Sequence, residues 1–538
     1  MIEERQGWDA ADAEAEGWTP QQAAEFIARA VPVDRPGAPA KTPSKGKTED
    51  GDERRESIAT ALLATLAGID VWGADGQFYI AIPANGFVEN WSLASNYFRD
   101  WLCYHAYRTL GRSPAPPAIE TVVRTLSAKA KFEGRQERPW LRVGRRGDRI
   151  YIDLCNGKGD VVEATRDDWR VIKNTGLPFV QTDDMRPLPV PEKGGLIEEL
   201  RRFVNVHDDR QFMLIVGWLV AALYPGEIFP ALCINGEAGS GKTVLCNWMR
   251  SITDPSKGDL RNTPRDARDL MAAGHNNHVL AFDNLSAISH DLSDLFCRVA
   301  TGSSFAVRAS YTDLSEVVVQ FARPILFNGI SELLNRPDLA QRTLIVRLDP
   351  FEKGARRSLR KQGAEWNAKK PFILGALCDA LCSVQRNLDS IDLGDAAPRM
   401  MDFAELVEAA SPGLGWKSGA FLDVFNANQR EIEEDVFDAQ PVAVALLKFV
   451  RQDFPSGWYG STTDLHSALN LTVPESLRRS SSWPQTTAAF GNALSRCLEM
   501  LRKRHIAIER KRSNGSKWRL AYVSTDDQPP QSAAKPQE

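Results

Sequence analysis

Long apolar runs are missing from this chain of 538 residues. The longest, Phe212 to Tyr224, is too short to cross a bilayer. The opening Met1-Ile2-Glu3-Glu4-Arg5 lacks the basic start and apolar stretch of a secretory signal, so a cytoplasmic location with no membrane partner is expected. Cysteine is sparse: eight residues are scattered through apolar contexts, which argues for reduced core thiols and against a disulfide framework. Only Cys378 and Cys382 are close neighbours, on the helical-looking segment 374–382. No second Cys or His pair lies near them, so zinc is not expected. His207, His275 and His290 are too far apart in sequence to suggest a ligand set. A formal net charge of −4 gives no general attraction to nucleic acid.

What is present divides the chain. Its length exceeds what one core can serve and suggests roughly three or four domains. The expected fold class is multidomain α/β. Residues 1–56 read as a flexible N-terminal tail and linker, because 31–56 hold Pro, Gly and charge with almost no large apolar side chains. Residues 57–191 read as mixed α/β modules, with a strand-like run at 77–82 and short alternating runs from 140 to 172 that predict antiparallel strands. A P-loop NTPase core is expected over 192–350 and a helical lid or oligomer region over 351–438. The C-terminal domain is placed at 439–524 and a disordered tail at 525–538.

The core assignment rests on Gly236-Glu237-Ala238-Gly239-Ser240-Gly241-Lys242-Thr243, which fits G-x-x-x-x-G-K-[ST] between an apolar strand-like run (229–235) and an amphipathic helix-like run (243–250). Glycines let the loop curl so that successive N–H groups and the helix N-terminus face phosphates. Lys242 would reach the β/γ oxygens and Thr243 would hold Mg²⁺, so ATP and Mg²⁺ are the expected ligands. About forty residues on, 278–284 reads as a buried strand ending in Asp283, the second candidate Mg²⁺ residue; its other reading is a cap for a helix starting at 285. A third apolar strand, 324–327, ends in Asn328, where a neutral amide can orient water or the γ-phosphate. Asn-Gly is also ordinary turn chemistry.

Between those strands, 301–321 predicts a hairpin with Arg308 and Tyr311 near its tip. This order of elements resembles superfamily III helicases, an AAA+-like class, and within it the phage and poxvirus primase-helicases. More loosely, 57–523 resembles phage and prophage ATP-binding replication proteins, although no primase active site is recognisable. The resemblance implies that Arg308 and Tyr311 face single-stranded DNA in the pore of a homo-hexameric ring. It also implies that Arg342, within Asp338-Leu339-Ala340-Gln341-Arg342, is an arginine finger, with Arg336 as second choice. A solvated strand face, turn packing and a structural salt bridge are the plain readings of the same three residues. One position departs from the family: Asn284 stands where a second acid commonly follows Asp283. Asn284 cannot accept the attacking water's proton, though an amide can still orient it.

The C-terminal region predicts helices at 441–450, 461–469 and 486–504, then a hairpin whose arms, 506–510 and 517–523, meet at Ser513-Asn514-Gly515-Ser516. Three helices and a β-wing resemble a winged helix, which implies a third helix in the major groove and a wing on the backbone. Nine Lys/Arg against two acids fall between Arg496 and Arg519. Arg502, Arg504, Arg510, Lys511, Arg512 and Lys517 are therefore candidate duplex contacts. A winged helix used only for protein contacts is the other reading. Together these features suggest an ATP-driven DNA helicase or replication ATPase of a phage or mobile element. The alternatives are a nucleotide-switched DNA-binding or recruiting protein with slow hydrolysis, and a defence-associated P-loop ATPase.

Overall fold

The computed structural model describes residues 57–206, 208–258, 260–308, 316–329, 336–351, 357–512 and 516–523, with the side chains of 305–308, 316–319, 512 and 516 left aside. Tyr311, the expected tails at 1–56 and 525–538 and most of the 513–516 turn lie outside the described residues.

The first module opens with α1 (Ile58–Thr65), capped where the Ser57 hydroxyl accepts from Thr60 N–H. Strands β1 (Val71–Ala74), β2 (Gln77–Ala84) and β3 (Phe87–Ser92) form an antiparallel meander. Its tight turns, Asp75-Gly76 and Asn85-Gly86, hold both central residues at positive φ, the chemistry of two-residue hairpins. Helices α2 (Asn96–Leu110) and α3 (Pro116–Phe132) then bury Leu102, Val122 and Leu126 against Leu62 and Ile80. A second antiparallel meander follows: β4 (Val143–Arg146), β5 (Arg149–Asp153), β6 (Asp160–Ala164) and β7 (Trp169–Lys173). The short β8 (Val180–Gln181) returns to pair with β3.

After a 3₁₀ turn (Ile197–Phe203) comes α4 (Asp209–Ala222), which is buried almost all round. The central layer is then laid down in order: β9 (Ala231–Gly236), α5 (Lys242–Thr253), α6 (Ala267–Asn276), β10 (Leu280–Leu285), α7 (His290–Ala300), the hairpin β11 (Ser304–Arg308) and β12 (Glu316–Gln320), β13 (Ile325–Gly329), α8 (Pro337–Ala340) and β14 (Thr343–Leu348). Strands β9, β10, β13 and β14 form one parallel sheet in the order β10-β13-β9-β14. Both faces are covered, which is why these strands read as continuous apolar runs with no alternation. On one face a single core runs from the β4–β7 meander (Ile150, Val162) through α4 (Trp218) to Leu377 and Phe403 of the helices that follow, α9 (Leu359–Asn387) and α10 (Met401–Leu414). On the other face Phe282, Phe296 and Phe327 pack with Leu339 and with Ile432 of α11 (Ala420–Asp438).

A buried charge network joins the meander to the end of α5. Arg142, wholly enclosed, donates from Nε to Asp254 Oδ1 at 3.0 Å, from Nη1 to the Asp153 carbonyl and from Nη2 to the carbonyls of Arg186 and Pro255. Asp254 also pairs with Arg250 at 3.2 Å and accepts from the backbone N–H groups of His278 and Val279. Burial pushes the Asp254 carboxyl up, but Arg250 and Arg142 outweigh it and hold the group well below the usual carboxylate range. His278, whose Nε2 lies 2.6 Å from the Ala222 carbonyl, is driven down by burial to about 4, with Asp254 opposing in part. A depressed His makes the unfolded chain the better proton acceptor. Its contribution is therefore fully present above the unfolded value of about 6.5 and is lost as pH falls toward 4. The loss is about 3 kcal/mol at most, and Asp254 adds its own loss below the carboxylate range. Denaturant melts at pH 7 and pH 4.5 are expected to show this drop in the natural chain and a smaller one in His278→Gln. Parallel curves would assign the acid sensitivity elsewhere.

The C-terminal domain has its own core of Leu446, Leu465, Trp483, Phe490, Leu494 and Trp518. Its elements are α12 (Pro441–Lys448), β15 (Trp458–Ser461), α13 (Thr462–Thr472), α14 (Glu475–Arg478), α15 (Thr487–Lys503), β16 (Ile506–Arg512) and β17 (Ser516–Tyr522). A capping box of Ser461 and Asp464 starts α13. The hairpin gains a third strand that was not anticipated, giving an antiparallel sheet in the order β15-β17-β16.

Candidate functional site

The glycine-rich loop connects β9 to α5 at the carboxyl edge of the parallel sheet. Gly236 has φ +153°, and a Cβ there would come within 2.7 Å of Ser240 Oγ and 2.9 Å of the Leu348 carbonyl. Gly241, at φ +95°, is the N-cap of α5 and leaves the first helical N–H groups without a side-chain cap. Lys242 folds its ammonium back over the loop, donating to the carbonyls of Gly236 (2.6 Å) and Glu237 (2.9 Å). Ser240 Oγ is buried and lacks a hydrogen-bond partner. A cation resting on carbonyls, open helix N–H groups and an orphaned buried hydroxyl are what an anion at this loop would satisfy.

The ends of β10 and β13 converge on the loop and the first turn of α5. Thr243 Oγ1 donates to Asp283 Oδ1 at 3.0 Å, and Asn328 Nδ2 donates to the same oxygen at 2.7 Å. Asn328 is buried, and its Oδ1 accepts the backbone N–H of Asn284 at 2.9 Å. Asp283 is not a helix cap: β10 runs through it to Leu285, and α7 begins at His290 with Ser289 as its cap. Asn284 sits exposed at φ +53°, a left-handed conformation that asparagine tolerates better than most residues. Thr243 and Asp283 supply one hydroxyl and one carboxylate, a donor set that suits Mg²⁺ shared with phosphate oxygens and water.

These groups open onto a cleft of about 1220 Å³. Its other walls come from Trp248, on the helix that follows the loop, and from residues outside the sequence motifs: Phe203 and Asn205 ahead of α4, Phe351 after β14, and Arg202 and Arg357. Asn205 ties two of these walls, with Nδ2 donating to the Asp349 carbonyl at 2.6 Å. No sequence motif marks Phe203 or Asn205 for such a role.

The other sequence candidates stand apart from the cleft. Arg308 pairs with Glu316 in the backbone register of the β11–β12 hairpin. Arg336, the second-choice finger, is held within the chain by Asp294 (2.6 Å) and the His290 carbonyl (2.9 Å). Arg342 is half-buried between α8 and β14, with Nη1 donating to the Asp338 carbonyl at 2.8 Å. In the C-terminal domain Arg502, Arg510, Lys511 and Lys517 are exposed. Arg510 lies over Trp518 at 4.9 Å and Lys517 near Tyr459 at 5.7 Å. Arg504 departs from the outward role expected of it: its guanidinium lies 3.7 Å from the centre of the Phe437 ring. Among the described residues no helix is long and apolar enough to cross a membrane.

Residues 197–430 match the family described as "Actinomycete integrative conjugative element replication protein", and residues 442–534 match "AICE RepA C-terminal domain". No curated protein matches the sequence. Among solved structures, "SCCmec type IV Cch - active helicase" aligns with a TM-score of 0.46 at 10% identity, over 85% of this chain and 93% of that one. "The A form apo structure of NrS-1 C terminal region-CTR" aligns with a TM-score of 0.37 at 12% identity, over 87% and 98%. The two family matches take in the central sheet, the helices behind it and the C-terminal domain, and over these regions the chain is similar to replication proteins of actinomycete integrative conjugative elements.

Proposed function

We propose that this chain is a replication ATPase of a mobile element, a DNA helicase that works as a homo-hexameric ring and couples ATP hydrolysis at subunit interfaces to DNA translocation. The observation that carries the reading is the meeting of Thr243, Asp283 and Asn328 at the head of the Gly236–Thr243 loop. In this reading the loop is a phosphate cradle, and Lys242 turns from its carbonyls to the β/γ oxygens. Asn328 fixes both Asp283 and the backbone of Asn284, so the edge facing the γ-phosphate is pre-ordered. Mg²⁺, held by Thr243 and Asp283, would neutralise charge on the phosphate oxygens. Arg308 and Tyr311 are assigned to the single strand in the pore, and Arg342 to the neighbouring subunit's nucleotide. The sheet order β15-β17-β16 together with α12, α13 and α15 supports a winged helix that meets duplex DNA. Calorimetry with Mg·ATP, followed by unwinding of a forked duplex, tests the proposal; no heat of binding and no strand separation would end it.

A second reading is favoured by Asn284 alone: a nucleotide-switched DNA-binding or recruiting protein in which hydrolysis is slow for want of a base. Tight Mg·ATP binding with turnover that DNA does not stimulate would select it.

The duplex contact has its own measurement. Each phosphate neutralised contributes about 0.9 to the slope of log K against log salt. The triple change of Arg510, Lys511 and Arg512 to alanine is therefore expected to weaken duplex binding and flatten that slope by up to about 3 units. An unchanged slope would leave the wing as a protein contact.

A further inference from the structure

The turn that carries Arg342 is tied to the sheet, and through the sheet's edge to α11. The Arg342 carbonyl accepts from Ala231 N–H at 2.9 Å, which ties the turn to the first residue of the loop-bearing strand. The outer edge of β14 is sealed by α11: Asn428 accepts from Ile345 N–H (3.2 Å) and donates to its carbonyl (2.8 Å), as a neighbouring strand would. Arg347 of the same strand pairs with Glu431 (3.1 Å) and Asp435 (2.6 Å). Helix α11 continues without a break, so that Val436 belongs to the sheet's core and Phe437 to the C-terminal core. Helix α15 then comes back to meet it. Met500 packs against both cores, Lys503 pairs with Glu433 at 2.6 Å, and a void of about 50 Å³ separates Pro337, Ala340 and Gln341 from Arg496 and Met500.

We propose that the carboxyl end of α15 is a positioning surface for Arg342, with Met500 and Lys503 holding α8 and α11 at the angle from which the arginine reaches a neighbouring subunit. This rests on the reading of Arg342 as a finger. The face of α15 used here is not its whole free surface: Ser495 and Arg502, farther round the helix axis from Met500 and Lys503, are exposed. One helix thus lines the void beside the arginine's turn, braced on α11, and offers a duplex-reading flank farther round its axis. A duplex seated on the C-terminal domain acts on the nucleotide of the next subunit through this helix.

Met500→Ala and Lys503→Glu are each expected to lower DNA-stimulated kcat by roughly 2- to 30-fold while KM for ATP and duplex affinity hold. Met500→Leu is expected to restore the first. The exchanged pair Lys503→Glu with Glu433→Lys is expected to restore the second, and because it keeps the charges it stays informative if Met500→Ala unfolds the domain. Neither change should add to Arg342→Ala. Unchanged kcat in both single variants, or failure of the exchanged pair to recover, overturns the proposal. Hydrogen exchange across 337–343 separates it from the parent reading. Faster exchange in Lys503→Glu supports the positioning contact even in a protein that does not hydrolyse ATP, and unchanged exchange refutes it even in one that does.

Discussion

Lys242→Ala is expected to reduce ATP turnover by about 10³-fold, the scale for removing a charged donor aimed at a developing phosphate charge. The effect follows from where the ammonium rests: on the carbonyls of Gly236 and Glu237, at the mouth of the loop and at the first position of α5. Among the described residues that line the cleft the other cations are Arg202 and Arg357, on separate segments outside the loop, so neither takes the place of Nζ at the loop carbonyls. Loss of Nζ frees two carbonyls that water can reach, so the loop itself should stay folded; a melting curve within about 1 kcal/mol of the natural protein checks this. Mg·ATP affinity should fall together with turnover, because the same contact serves the bound triphosphate and its transition state. If turnover survives at the natural rate, the loop is a structural turn and the site lies elsewhere.

Much of this centre was legible because it is local in sequence. Loop, preceding strand and following helix lie within twenty-five residues, and the apolar runs at 278–284 and 324–327 mark strands buried on both faces. The order β10-β13-β9-β14 was not legible, since nothing in a strand states its neighbour. It is that order which sets Asn328 between Asp283 and the loop and makes the amide a partner of both Asp283 and Asn284. Strand β15 was missed because Trp458-Tyr459-Gly460-Ser461 is short and holds a glycine, and it is a strand only through its pairing with β17. The Arg504–Phe437 contact was hidden for a different reason. A dense cationic run reads as a solvated or DNA-facing surface, and only the return of α15 to α11 shows that part of it is spent inside the chain. Asn428 was invisible in the same way: a lone amide in an amphipathic helix gives no sign that it closes the edge of a sheet.

Arg342→Ala carries the second large effect, a loss of about 10³–10⁵ in kcat, the range by which an arginine supplied to phosphoryl transfer changes the rate. The side chain is suited to such service in one respect and restrained in another. Of the two candidates, Arg336 is held in an ion pair with Asp294, whereas among the described residues Arg342 is held by the neutral Asp338 carbonyl, which it can leave. Asp338, four residues before it, keeps the guanidinium folded against α8, so reaching a neighbour requires that hydrogen bond to break. Mg·ATP binding should therefore be unaffected by Arg342→Ala, in contrast to Lys242→Ala. Mixing the two variants decides whether the site is shared. A ring in which one subunit supplies Lys242 and its neighbour supplies Arg342 has some intact interfaces, so mixed protein should recover part of the activity that each variant alone has lost. Mixtures that stay as inactive as their components would place the whole site within one chain, and Arg342 would then be a structural residue of the α8–β14 turn.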